Sequence, residues 1–434
     1  MTSELPVGAR IRYWRRRNGS RSQAAIAGLC GITEDYLSKI ERGSKAPSLE
    51  VLVALAREIG VPVAALLDHH APDEQHHPQH TAPDVARVLM GYTIPCRQEA
   101  VDPTVLRERV EAAWRLWQTS PTRYTDAAET LPALLADTEH TVRTHRTGND
   151  EHARRETLRA AADLYGLLRS YCRRTGRVDL SLLVADRALR AAEDADDPLR
   201  IAAAQWNLGH VLLAQDETEG AEQVATQAAE QLISTPASSG RQALAGALEL
   251  VAVTATARRR DWWKARHRLE RRAQPLAEQA GEGNTGWTVF GPTNVALHLL
   301  SIEMLAGEAG EGLRCADQID ITRVLSIERQ FTFTLEVARC YDLRREDAAV
   351  LVHLLDLEQL APEDCARSPL ARQMATDLRR RVRPTYRRQV EALAERLGLD
   401  RPPGQPGTPD WQSGSEWPIA PTVASSDPTA ARIP

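Results

Sequence analysis

The sequence predicts an all-α protein, a small helical block followed by a long α-solenoid, and three observations carry that reading. From about residue 100 to 398, Ala, Leu, Arg and Glu dominate, and apolar residues recur at i, i+3, i+4 and i+7, the spacing that lines one face of a helix. Strand-like alternation is absent from the same stretch. Breaks between helices fall near Gly176, Gln215, Arg260, Gly307 and Arg344, at intervals of 39, 45, 47 and 37 residues, which is the rhythm of stacked helix pairs. No such pair buries its apolar face alone, so stacking is the expected solution; a non-repeating helical bundle is the alternative.

The elements follow in order. Residues 1–67 read as a compact helical domain. Residues 68–99 read as a linker, opening on DHHAPDEQHHPQHTAP with three prolines, five histidines and no periodicity. Residues 100–398 are the helical body, with helix pairs expected at 248–280, 296–319 and 335–360 and a terminal helix at 378–397. Residues 399–434 hold eight prolines with Gly, Ser and Thr, a composition that predicts disorder. Trp411 and Trp417 in that tail read as a docking motif or as idle residues.

Charge separates the parts. Residues 1–67 carry ten Arg/Lys against six Asp/Glu, a net of +4, whereas the remainder carries 44 against 53, a net of −9. A basic block on an acidic body points to a nucleic-acid partner for the first part alone. No apolar run approaches the roughly 18 residues of a membrane span, and the N-terminus lacks the apolar core of a signal peptide, so a cytoplasmic protein is expected. The six cysteines are scattered, with no C-x-x-C, and read as reduced thiols. The three lysines, Lys39, Lys45 and Lys264, follow Ser38, Ser44 and Trp263, so no Walker A loop exists. H-E-x-x-H and G-x-S-x-G are absent too, and an enzyme is not expected. His69, His70, His76, His77 and His80 sit on linker backbone that fixes no ligand geometry, so no metal or other cofactor is expected. The acid pairs Asp196-Asp197 and Glu363-Asp364, beside Pro198 and Pro362, read as helix caps. Trp114, Trp117, Trp262 and Trp263 read as packing.

Residues 22–47 carry the most information. Two short helices meet at Gly31, where glycine permits positive φ in a tight turn. Ala27 is small enough for a close crossing, and Ile32, Leu37 and Ile40 face inward against Ile26, Leu52, Leu55 and Ile59. Gln23, Ala27, Gly31-Ile32-Thr33, Leu37 and Ser38-Lys39-Ile40-Glu41-Arg42-Gly43 together resemble the lambda-repressor-like, Xre-type helix-turn-helix domain. The resemblance implies a five-helix DNA-binding domain. It puts Thr33 at the N-cap of the recognition helix and turns Glu34, Asp35, Ser38 and Lys39 toward the major groove. Gln23, Arg42, Ser44, Lys45 and Arg15 then lie near phosphates, with parts of the Arg12–Arg17 run. Glu34 either accepts from cytosine N4 or merely favours the helix N-terminus with its charge.

The body's clearest unit is Gln205 to Leu212, followed by Gly220, Ala221, Ala225 and Ala228. Leu208-Gly209 with small residues 12, 16 and 19 positions later resembles a tetratricopeptide repeat. The combination is similar to peptide-receptor regulators, which join an Xre-type domain to such repeats. That resemblance implies a bacterial transcription regulator, dimeric through its repeats, on a pseudo-palindromic double-stranded DNA operator, with a peptide or small-molecule signal on the concave face. The alternative is a DNA-binding hub whose repeats bind another protein. Asn207 lies inside a strongly periodic helix, where an amide is poorly placed. With His210 it is the expected ligand clamp, and Asn294 and His298 repeat the pattern two units on. The bland alternative is that Asn207 bonds a neighbouring helix or sits in solvent.

Overall fold

The computed structural model describes residues 7–17, 22–59, 61, 63–67, 83–91, 99–146, 148–234, 236 and 238–399. The five linker histidines, Cys96, and the tail with Trp411 and Trp417 lie outside them. Among the described residues every regular element is helical.

Five short helices open the chain: α1 (Val7–Arg17), α2 (Gln23–Leu29), α3 (Glu34–Glu41), α4 (Leu49–Ile59) and α5 (Val63–Leu67). Ile11, Ile26, Leu37, Ile40, Leu52, Leu55 and Ile59 form their common core, none more than 4% exposed. α6 (Pro83–Leu89) falls inside the span read as linker, yet Val85, Val88 and Leu89 are buried with the first helices of the body. The helical body therefore begins earlier than its sequence period suggests, because about two turns of helix are too short to display a period.

Helix pairs follow. They are α7 (Pro103–Thr119) with α8 (Arg123–Arg146), α9 (Glu151–Arg174) with α10 (Val178–Asp194), and α11 (Pro198–Ala214) with α12 (Thr218–Ile233). Next, α13 (Ser239–Arg258) pairs with α14 (Trp262–Arg268), which runs through a π-turn at Leu269–Ala273 into α15 (Gln274–Ala280). Pro275 has no N–H and crowds the carbonyl four residues back, which accounts for the wider turn there. Then come α16 (Pro292–Ala306) with α17 (Ala309–Ala316), and α18 (Ile327–Leu343) with α19 (Asp347–Leu360). The chain's described part closes with α20 (Pro362–Arg367), α21 (Pro369–Arg381) and α22 (Pro384–Arg396). The terminal helix expected at 378–397 is thus two helices. Pro384 forces Arg383 out of helical geometry, and Arg383 is extended at φ −62°, ψ 150°.

The expected breaks at 176, 215, 260, 307 and 344 are all inter-helix turns of one kind. Each holds a left-handed residue: Gly176, Asp216, Arg260, Gly307 and Arg345. Each also closes a long backbone bond onto the preceding helix, Arg177 N to Cys172 O at 2.8 Å, Glu217 N to Leu212 O at 2.9 Å and Glu346 N to Tyr341 O at 3.0 Å among them. This is the Schellman ending, which satisfies the last carbonyls of a helix. Three of the five turns use a residue other than glycine, so their sequence signal is faint.

Close packing between repeats depends on small residues. A Cβ on Gly209 would meet a Val251 methyl at 2.8 Å, and Ala221, Ala225 and Ala228 are buried against α13. The cores run in sequence order along the stack, one from α6 to α10, the next from α11 to α16, and a last from α18 to α22. Contacts fall mainly between successive helices, as a solenoid requires. The stretch Thr285–Ala306 is long and apolar enough to cross a membrane, with mean hydropathy 1.3, but 56% of its apolar window is buried inside the fold; it reads as a core helix.

One set of contacts joins the far helices of the body to its first ones. Arg123, at the start of α8, makes a two-pronged ion pair with Asp364 of α20, and its Nε lies 2.9 Å from Oδ2. Glu363 accepts from the Tyr124 backbone N–H at 2.8 Å, so a carboxylate caps α8 from far along the chain. Asp197 caps its own helix as expected, accepting from Arg200 N at 3.1 Å. Glu363 and Asp364 instead latch the end of the solenoid to its beginning.

Candidate nucleic-acid interface and sensor cavity

Local chemistry sets the N-terminal site. Ser22 accepts from Ala25 N at 3.1 Å and starts α2. Gly31 takes φ 67°, and Ile32 N reaches back to Ala27 O at 3.0 Å. Thr33 then caps α3, accepting from Tyr36 N at 3.2 Å. Gly43 at φ 75° ends α3, and both the backbone N–H and the hydroxyl of Ser44 donate to Lys39 O. Leu37 and Ile40 face the core, which leaves Glu34, Asp35, Lys39 and Arg42 exposed on the opposite side. Ser38 is half-buried between the two.

Several of these side chains have partners. Lys39 Nζ lies 2.6 Å from Asp35 one turn earlier, and that hydrogen bond holds the Asp35 carboxyl below its usual range. The Lys45 ammonium stands 4.7 Å over the Tyr36 ring. Arg42 Nε donates to Ser38 O at 3.3 Å.

Arg15 and Gln23 differ from expectation. Arg15 is 7% exposed and turned inward, with Nε 2.6 Å and Nη2 2.9 Å from the two oxygens of Glu41. Gln23 Nε2 donates to the same carboxylate at 2.7 Å. Glu41, itself 5% exposed, gathers α1, α2 and α3 around one charge. Arg15 is therefore an interior tie and not a phosphate contact. A sequence shows that an arginine lies beside a basic run, but not which way its helix is turned. Arg12 is exposed; the side chains of Arg16 and Arg17 lie outside the described residues.

The sequence family described as a helix-turn-helix domain matches residues 6–69. This part of the chain is a helix-turn-helix domain. No curated protein matches the chain by sequence. Among solved structures it resembles PlcR from Bacillus thuringiensis in complex with the peptide PapR7 and DNA, at 10% identity and a TM-score of 0.30, over 82% of this chain and 99% of that one. It also resembles the apo competence regulator ComR from Streptococcus vestibularis, at 12% identity and a TM-score of 0.33, over 86% and 97% of the two chains. Apo ComR from S. thermophilus gives 10% identity and a TM-score of 0.33 over 86% and 98%. Likeness this distant decides nothing about ligand or assembly.

Beyond the helix-turn-helix domain, residues of α7, α9 and α11 and of the first turn of α18 border one interior space. The segment between α15 and α16 crosses this interior as a strap. Trp287 stacks on Trp114 of α7 with centroids 5.2 Å apart, and Gln118 Nε2 donates to Trp287 O at 3.2 Å. Trp287 and Val289 both hold positive φ, at 63° and 52°, backbone geometry that costs energy for residues with a Cβ. What remains is a cavity of about 60 Å³ bordered by Arg169, Arg173, His210, Ser326, Glu328 and Arg329.

Of the four expected ligand residues, His210 borders this cavity, Asn207 borders a smaller space with Trp114 and Arg200, and Asn294 and His298 lie on α16 and border neither. Asn207 is 4% exposed, its Oδ1 accepting from Arg169 Nε at 2.7 Å and its Nδ2 donating to Ala203 O at 3.0 Å. The amide is committed within the protein and holds Arg169 in the wall, so it offers no free clamp. His210 lies edge-on to Trp206, with centroids 4.5 Å apart. Burial, together with Arg169 and Arg173, pushes its pKa well down. His298 donates from Nδ1 to Asn294 O at 2.8 Å, and burial with the Arg329 charge pushes its pKa down to about 4. Asn294 is 2% exposed, and its Oδ1 has no hydrogen-bond partner.

Sequence reasoning missed Arg169, Arg173 and Arg329. A signal did exist. Arg169 and Arg173 are spaced i, i+4 within Leu167-Leu-Arg-Ser-Tyr-Cys-Arg-Arg174, on a helix whose residues 164–172 are all buried. An arginine pair in such a stretch faces something enclosed.

Proposed function

We propose that the protein is a sequence-specific DNA-binding transcription regulator whose helical body receives a signal. The observation that carries this is α3 itself: capped by Thr33, anchored by Leu37 and Ile40, it leaves Glu34, Asp35, Lys39 and Arg42 exposed on one outward face. A rigid helix offered this way suits the major groove. Glu34, Asp35, Ser38 and Lys39 are assigned to base edges. Gln23, Thr33, Arg42, Ser44 and Lys45 are assigned to the flanking backbone, Gln23 sharing its amide with Glu41. The local +4 supplies the phosphate attraction. We assign a dimer on a pseudo-palindromic operator, because one such domain touches few bases, and we place the protein in the cytoplasm with its DNA. Residues 1–67, 100–398 and 399–434 act as DNA-binding, sensing and tail segments, α6 being joined to the sensor. His210 and His298 belong to the signal site, with Asn207 acting through Arg169 and Asn294 contributing its unpartnered oxygen. Peptide and small-molecule signals both fit the reading; a narrow, arginine-lined cavity favours either over a protein-binding hub.

The test is selection of duplexes from a random pool by the full chain, followed by titration of the recovered sequence. Log affinity should fall linearly with log salt, and Lys39→Ala should cost about 1–3 kcal/mol of specific binding. Failure to recover any sequence, or unchanged binding in the Lys39→Ala, Arg42→Ala double variant, removes the reading.

A further inference from the structure

The interior cavity has an excess of positive charge that the protein does not neutralise. Arg169, Arg173 and Arg329 line it from α9 and α18; Arg123 and Arg174 lie behind them with two carboxylates, Glu328, which also lines the cavity, and Asp364. Both carboxylates are engaged: Glu328 with Arg174 and Arg123, Asp364 with Arg123. Arg169 is held by the neutral oxygen of Asn207. For Arg173 and Arg329, no hydrogen bond or ion pair forms from either guanidinium among the described residues, and Arg173 Nε is fully enclosed with no acceptor. Burial pushes the Arg173 pKa down to about 10 and lowers that of Arg329 as well. Both side chains are half-buried, and a partly desolvated, unpaired cation is costly unless something compensates it. Ser326 and the first turn of α18 border the same space, and the Ser326 side chain makes no capping bond. A helix N-terminus adds a favourable field for negative charge.

We propose that this cavity binds an oxyanion, a carboxylate or phosphate group carried by the signal molecule, between Arg173 and Arg329. The proposal rests on the reading of the helical body as a sensor and names the chemistry it senses. Planar guanidinium groups match both oxyanions with paired N–H donors. The volume of about 60 Å³ beside the arginines suits a group of that size. The rest of a larger signal therefore sits in the mouth, beside the Trp287 strap. With His210 neutral, Arg169, Arg173 and Arg329 are the cations that line the cavity among the described residues.

The experiment is calorimetry on the full chain with inorganic phosphate, with acetate, and with N-acetylleucine beside its uncharged amide. Saturable binding of an anion is expected, with the amide silent. Affinity should drop roughly tenfold or more in Arg173→Gln and in Arg329→Gln. Arg173→Lys, which keeps the charge, should retain more than Arg173→Gln, and Arg271→Gln, on an exposed face away from the cavity, should bind as wild type. Circular dichroism on each variant separates lost binding from lost folding. Tighter phosphate assigns a phosphorylated signal; tighter N-acetylleucine assigns a carboxylate, such as a peptide C-terminus. The proposal is overturned if no anion saturates, if the amide binds as well as the acid, or if a folded Arg173→Gln, Arg329→Gln double variant binds as wild type. Operator affinity is titrated in parallel without anion: intact DNA binding with no anion binding removes this cavity assignment alone, and the reverse removes the regulator reading.

Discussion

Replacing Glu41 with alanine should unfold the helix-turn-helix domain while leaving the helical body intact. The Glu41 carboxylate accepts three hydrogen bonds, at 2.6 and 2.9 Å from Arg15 and 2.7 Å from Gln23. The Arg15 and Glu41 side chains are only 8% and 2% exposed. Removing the acid strands a buried guanidinium, which costs about 3–5 kcal/mol. A domain of this size has a total stability near the lower end of the usual range of about 5–15 kcal/mol. Hydrogen exchange on the full chain is the direct assay, with α9 amides as an internal reference. Amides of α1 and α3 should exchange roughly two to four powers of ten faster, and those of α9 unchanged. The double variant Arg15→Met, Glu41→Leu replaces the pair by apolar groups of similar volume and should restore protection. It should also restore DNA binding, because Arg15 is an interior residue. Exchange in Glu41→Ala within about threefold of wild type would refute the energetic argument. A protected double variant that no longer binds DNA would return Arg15 to the interface.

Three further outcomes follow from particular contacts. Gly8→Ala should destabilise the same domain by about 1–3 kcal/mol, because the added Cβ would run into the Ile40 backbone carbonyl, which cannot step aside as a side chain would; the same exchange experiment reads it. Asn207→Ala should cost the helical body about 2 kcal/mol in urea unfolding, since Arg169 loses its acceptor; wild-type stability would mean Arg169 finds another partner. Acidification should weaken the body through His298: its native pKa is about 4, against about 6.5 in an unfolded chain, so between those values the unfolded state binds more protons. Stability is then flat above the upper value and falls toward the lower one by on the order of 3 kcal/mol. His298→Gln should flatten that fall in part, His210 contributing the same sign.

The helix-turn-helix domain was legible because its instructions are short-range. Ser22 and Thr33 cap the helices they precede, Gly31 and Gly43 sit at the left-handed positions, and the apolar spacing fixes which face is buried. Each of these acts over three to five residues, within reach of a pattern read along the chain. The rhythm of the repeats was legible for the same reason, and so were their turns, even where Asp216, Arg260 and Arg345 do the work of glycine. Pro384 could have been read as a stop; the apolar period running across it concealed the break. What tertiary structure alone decided are the places where distant charges meet. Arg15 and Arg12 look alike in sequence, and only the turn of α1 against Glu41 separates an interior tie from an exposed cation. Asp364 reads as a local cap, but it lies against Arg123, 241 residues away, and closes the solenoid. Arg173 and Arg329 come from helices about 150 residues apart, and no local preference records that their guanidinium groups share one enclosed space without a carboxylate to spare. Coulomb energy and desolvation depend on distance and burial in three dimensions, so the sequence determined which helices form and which faces they bury, and the folded chain decided where charge is left unpaired.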